Sequence, residues 1–133
     1  MSRLTSISSS VLVIASCAVL GTPALAADTA KASVTVDGAT YAFSGGSCVK
    51  NGRGLTVNIG VPSMQAPPGT HPDYFGMSIV SVPGSFSDAI VSFIKDGKRY
   101  SVGHATGTAT AAGATFSGTL TRGGAHVTGS FTC

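Results

Sequence analysis

The sequence predicts an all-β domain, a small antiparallel β-sandwich of about seven to eight strands with one disulfide, behind an N-terminal signal segment. Three observations carry this. From Lys31 onward the apolar residues recur with a period of two and never with helical spacing. Two-residue Asp-Gly turns, Asp37-Gly38 and Asp96-Gly97, punctuate the pattern. Two cysteines, Cys48 and Cys133, remain once an export signal is removed.

The export signal is read first, because it sets the compartment. Arg3 supplies a positive n-region, Val11 to Gly21 an apolar h-region, and Thr22-Pro23-Ala24-Leu25-Ala26 a cleavage region with small residues at 24 and 26. Residues 1–26 are thus expected to be a signal peptide and residues 27–133 a single domain. The uncharged stretch is shorter than the roughly 20 apolar residues a membrane helix needs. Within it, Ile14-Ala15-Ser16-Cys17 fits the bacterial lipobox, whose cysteine is acylated and becomes the first residue. Cys17 is therefore either a lipidation site or a small apolar filler of the h-region, and the two processing events exclude each other. Ala18-Val19-Leu20 follows Cys17 where a lipoprotein usually carries a polar tether, which favours cleavage after Ala26.

The strands follow in order. Ala32, Val34 and Val36 alternate with Ser33 and Thr35, turn through Asp37-Gly38, and resume at Tyr41 and Phe43. Glycine tolerates the positive φ that a type I′ turn requires. Leu55, Val57, Ile59 and Val61 alternate with polar or small residues to give a further strand. Met77 to Val82 and Ile90 to Ile94 are short apolar runs, expected to be buried on both faces; the second leads through Asp96-Gly97 into Tyr100 and Val102. Three meandering strands, Ala105 to Ala111, Thr115 to Thr121 and His126 to Cys133, then share a Thr/Ser outer face. A threonine ladder invites a repeating ligand such as ice or a glycan, but β-branched Thr equally suits any solvated strand face.

An oxidising compartment makes a single Cys48–Cys133 disulfide the economical reading, closing a loop of about 85 residues. No His or second Cys stands near either one at ligand spacing, which argues against a thiolate metal site. There is no Glu, and the acids are Asp28, Asp37, Asp73, Asp88 and Asp96. The cations are scattered, so no patch reads as a nucleic-acid footprint; Lys95 to Arg99 is split by Asp96-Gly97 and decorates a hairpin tip.

Catalytic sets do not assemble. The histidines are His71, His104 and His126, no Gly-x-Ser-x-Gly elbow occurs, and a paired-carboxylate glycosidase would have to draw on turn aspartates. The expectation is a protein without catalytic activity, cofactor or metal. The longest non-periodic stretch, Pro62 to Gly76, is where a partner would be met. His71, Tyr74 and Phe75 are its candidate contacts, with Asp73 as a polar neighbour; the competing reading folds the two aromatics back to plug the open end of the sandwich. A carrier of a small apolar ligand is the alternative function, drawn from Tyr74, Phe75, Met77 and the small-residue strands.

Taken together, Val34-Thr35-Val36-Asp37-Gly38, Cys48 followed by Leu55-Thr56-Val57-Asn58-Ile59-Gly60, Lys95-Asp96-Gly97-Lys98-Arg99-Tyr100, Gly107-Thr108-Ala109 and the closing Phe131-Thr132-Cys133 resemble the LpqH-like lipoprotein antigens of mycobacteria. The resemblance spans most of the mature chain, with the cysteine spacing its most specific element. It implies a compact β-rich surface domain, held to the membrane through a lipid anchor, met by host or envelope protein partners, and without catalytic activity. It also implies that Cys48 and Cys133 pair and that Cys17 is acylated. The Pro62 to Gly76 insertion departs from it.

Overall fold

The computed structural model describes residues 29–133, so the leader, Cys17 and the Ala26 junction lie outside the described residues. Eight strands follow one another as an antiparallel meander: β1 (Ala30–Val36), β2 (Ala39–Asn51), β3 (Gly54–Gly60), β4 (Tyr74–Ile79), β5 (Gly84–Lys95), β6 (Lys98–Thr110), β7 (Gly113–Thr119) and β8 (His126–Thr132). Each strand pairs with the next, and β8 returns to pair with β1, so the sheet closes into a barrel.

Closure corrects the expected sandwich. A half-buried strand alternates apolar and polar residues whether its sheet faces a second sheet or curls onto itself, so periodicity alone does not separate the two. What closes this one is local. Three strands carry bulges or irregularities: β2 near Ser44–Gly46, and β5 with β6 where Phe86, Ala89 and Val91 face Gly107, Ala105 and Val102. Bulges bend and twist a strand, which a closed sheet requires. A missing side chain helps at Gly129 in β8, opposite both Val34 and Phe116. A methyl there would stand 2.8 Å from the Ser33 carbonyl oxygen and 2.9 Å from Phe116 Cε1.

Both Asp-Gly turns form as the residues dictate. Asp37 and Gly38 have φ of 48° and 83°, Asp96 and Gly97 of 50° and 77°, the left-handed pair a type I′ hairpin requires. The bulges explain what the periodicity obscures: β6 is one strand of 13 residues, because the irregularity at Gly103-His104 shifts the inward phase from Val102 to Ala105. Met77 to Val82 and Ile90 to Ile94 are not buried on both faces throughout, since a barrel wall has one interior side. Val80 and Ile90 are exposed.

The interior is filled by side chains, as expected for a barrel of this strand number. Phe75, wholly buried, meets the rings of Phe43, Phe116 and Phe131 at centroid distances of 5.8, 6.1 and 6.5 Å. Leu55, Val57, Val91, Val102 and Val127 pack around them, and no described polar side chain is buried. An apolar interior with a hydroxyl-rich exterior inverts the pattern of a transmembrane barrel, whose lipid-facing side is apolar.

The meander sorts the connections into two ends. One end carries the first described residue, the turn at 52–53, the loop 80–83, the turn at 111–112 and Cys133; the other carries the turn at 37–38, the loop 61–73, the turn at 96–97 and the segment 120–125. Cys48 and Cys133 form a disulfide with a Cα–Cα distance of 5.6 Å, and the Cys133 amide donates to the Ala112 carbonyl at 2.8 Å. The staple therefore fastens the last residue of the chain to β2 at the end where the chain enters.

Candidate functional site

A groove of about 960 Å³ opens at the other end. Its floor is built by strand register. Tyr74 in β4 lies opposite Ile94 in β5, which lies opposite Arg99 in β6, and Ser92 lies opposite Ser101. Val91 and Phe93 point inward, so Ser92 and Ile94 face outward by the period of two. Ile94 is nonetheless only 4% exposed. It shares the groove wall with Tyr74, Pro62 and Met64, and the loop 61–73 rises over this face of the barrel.

That loop is braced at both ends. Gln65 and Ala66 amides donate to the Pro62 carbonyl at 2.9 and 3.1 Å, a single helix-like turn, and Thr70 donates through both amide and hydroxyl to Pro67. At its far end the Asp73 carboxylate accepts from Lys95 Nζ at 2.6 Å and from the Asp96 amide at 3.1 Å. The Lys95 hydrogen bond, then that amide, hold the Asp73 carboxyl below the usual aspartate range, and the same hydrogen bond raises the Lys95 ammonium. Lys95 also lies 5.7 Å from the centre of the Phe43 ring, so it covers the barrel mouth. Tyr74 donates its hydroxyl to Asn58 Oδ1 at 2.7 Å, its ring lying over Gly76, where a β-carbon would collide with it. Burial raises the Tyr74 phenol, which keeps it a neutral donor.

The groove's other wall is cationic and aromatic. The Thr121 amide donates to the Ser101 carbonyl at 2.9 Å, which sets Arg122 level with Tyr100. Tyr100 stacks on Phe93 with centroids 4.7 Å apart, and Lys98 Nζ stands 5.6 Å from the Tyr100 ring centre. Burial, then the neighbouring Tyr41 hydroxyl, raises the Tyr100 phenol. Lys98, Arg99 and Arg122 line the groove and no carboxylate does. The ion pairs among the described residues are Lys95–Asp73 and His104–Asp88, so none of these three cations has an acidic partner there.

The sequence candidates fare unevenly. Tyr74 is a groove residue, and Asp73 latches the loop beside it. Phe75 points the opposite way, into the centre of the core, which corrects its reading as an exposed contact: adjacent strand residues face opposite sides, so Tyr74 and Phe75 are never presented together. His71 is exposed on the loop but does not line the groove. Ile94, Met64, Lys98, Arg99 and Arg122 were not singled out as a set. A signal for Ile94 was present, since the doublet Phe93-Ile94 breaks the alternation and implies burial on the outer side too. Arg122 stands 23 residues from Arg99 in sequence and joins it only through the β6–β7 pairing.

Two further clusters lie on the outer wall. Asp88 and His104, in the facing irregular stretches of β5 and β6, are hydrogen-bonded at 2.5 Å. Their side chains are 77% and 86% exposed, and no serine hydroxyl is bonded to His104, so the pair lacks the nucleophile and water exclusion that acyl transfer needs. Register also aligns Thr106, Ser117, Thr128, Thr35 and Thr40 in one transverse row, with Ser85, Thr108, Thr115, Ser130 and Ser33 in the next. Each row wraps five of the eight strands, so it is curved, and neighbours satisfy one another, as Thr35 and Thr40 do at 2.9 Å. A curved, self-bonded hydroxyl surface suits solvation better than a flat periodic ligand.

Comparisons with protein-family models, with curated proteins and with solved structures give no match for the chain.

Proposed function

We propose that the chain is made as an exported precursor and that its mature domain is a non-catalytic binding component of the cell envelope or exterior, working through the groove between the loop 61–73 and β5–β6. The groove carries this reading. It combines a volume typical of small-ligand sites, apolar and aromatic lining, and three cations contributed by two separate segments. Export is supported by the N-terminal pattern and by a structural disulfide between the two mature cysteines, a bond that persists in oxidising compartments. Kinship with the LpqH-like lipoproteins, and anchoring through Cys17, belong to the same proposal. The apolar-carrier alternative is narrowed by the phenylalanine-filled interior, which leaves the outer groove to receive a ligand.

The test is intact-mass measurement of the protein recovered from cells expressing the full chain, before and after reduction and alkylation. The expected product begins at Ala27, which means release, or at Cys17 with added acyl mass, which means anchoring; in both, Cys48 and Cys133 resist alkylation until reduced. A product that retains residues 1–26 unmodified, or whose two cysteines alkylate without reductant, overturns the export reading.

A further inference from the structure

We infer that the groove takes a single molecule of an amphipathic organic anion, its phosphate or carboxylate head among Lys98, Arg99 and Arg122 and its apolar chain along Met64, Ile94 and Tyr74. This rests on the groove being the working surface, and it adds the chemical class of the ligand.

Charge and shape both point to it. The lining carries cations from two separate segments, β6 and the 120–125 segment, and no acid to neutralise them. Arginine donates in a planar fork that matches carboxylate and phosphate oxygens, and two arginines in one lining favour an anionic head. An unneutralised cation cluster disfavours a cationic or purely apolar occupant. The opposite wall offers apolar surface to a chain: Met64 is 98% exposed, and a flexible thioether side chain adapts to alkyl or ring surfaces. Ile94 and the Tyr74 ring continue that surface inward.

Placement selects a dispersed molecule over a bilayer. The chain enters the barrel at the end stapled by Cys48–Cys133, opposite the groove. A domain tethered through its N-terminus presents the groove away from the membrane that holds it, towards molecules in the surrounding medium. The groove is also walled by Pro62, Ser63 and Met64 of the loop 61–73, which makes it a cleft rather than a flat face.

The experiment uses the oxidised domain with decyl phosphate below its micelle concentration, followed by amide chemical shifts and calorimetry. Saturable one-to-one binding is expected, with shifts at Met64, Ile94, Arg99 and Thr121. Inorganic phosphate and decyltrimethylammonium bind at least roughly tenfold more weakly, and the Arg99→Gln/Arg122→Gln variant loses roughly a hundredfold, since each of the two lost charge-assisted hydrogen bonds costs about tenfold. Both arginines are exposed, so the variant keeps its fold, checked by an unchanged denaturation midpoint. Equal binding of the cationic amphiphile, undiminished binding by the variant, shifts confined to another face, or no saturation overturns the inference. Sedimentation with anionic phospholipid vesicles in preference to decyl phosphate binding overturns the dispersed-ligand assignment. None of these outcomes touches the export reading, which stands or falls on the mass of the mature chain.

Discussion

Removing the Cys48–Cys133 disulfide, as the Cys48→Ala/Cys133→Ala double variant, is expected to lower the unfolding free energy by about 4–5 kcal/mol. The bond closes a loop spanning 85 residues, which takes in strands β3 to β8 and six of the eight strand pairings and leaves β1 and most of β2 outside. In the unfolded chain such a crosslink removes a large share of the conformational freedom, and the cost grows with the logarithm of loop length. Domains of this size are stable by about 5–15 kcal/mol, so the loss would consume roughly a quarter or more of the total. Besides the disulfide, Cys133 is held by the hydrogen bond from its amide to the Ala112 carbonyl. Urea denaturation of the variant beside the oxidised and reduced parent measures it. A difference under about 1 kcal/mol would mean that β8 is fixed by its ladders to β1 and β7 alone.

Phe75→Ala is the second large effect, expected to cost about 3–5 kcal/mol. Phe75 is wholly buried and touches three other phenylalanine rings drawn from β2, β7 and β8, so its removal opens a void at the point where distant parts of the chain converge. Rings held in a closed wall have little room to collapse into the gap, which places the cost towards the upper part of the range. Ile90→Ala on the exposed outer wall is the matched control, expected within about 0.5 kcal/mol of the parent. Equal losses for the two would contradict the assignment of inside and outside along β4 and β5.

These two effects also mark what was legible in the sequence. The disulfide followed from cysteine count and compartment, and the two Asp-Gly hairpins from turn chemistry, because both depend on local or combinatorial constraints. The inward set Val34, Val57, Ile59 and Val127 followed from alternation. Closure did not, because the pairing of Val34 with Gly129 joins residues at opposite ends of the domain and leaves no trace in the period of either strand. The continuity of β6 was hidden for a related reason: the irregularity at Gly103-His104 resets the phase, so one strand reads as two.

The groove was legible only in fragments. The Pro62 to Gly76 stretch, where the sequence places a partner contact, supplies Pro62, Ser63, Met64 and Tyr74 to the groove. The pairing of Tyr74 with Phe75 as joint contacts failed on strand geometry, since one must face in when the other faces out. Lys98 and Arg99 were visible as a hairpin tip, but Arg122 reaches the same groove lining only through the bridge between Val102 and Leu120. Residues gathered by long-range register carry no spacing signature of their own.

The central claim is that the sheet is closed and its interior filled, which directs any ligand to the outer groove. Amide hydrogen exchange along β1 tests it most directly. Successive amides of an antiparallel strand point to alternate sides, so in a closed barrel those of Lys31 to Val36 are bonded in turn to β2 and to β8. The expected result is uniform slow exchange along β1, at rates approaching those of global unfolding. Alternating fast and slow amides along β1, the mark of an open edge, would contradict the barrel and return the domain to a sandwich.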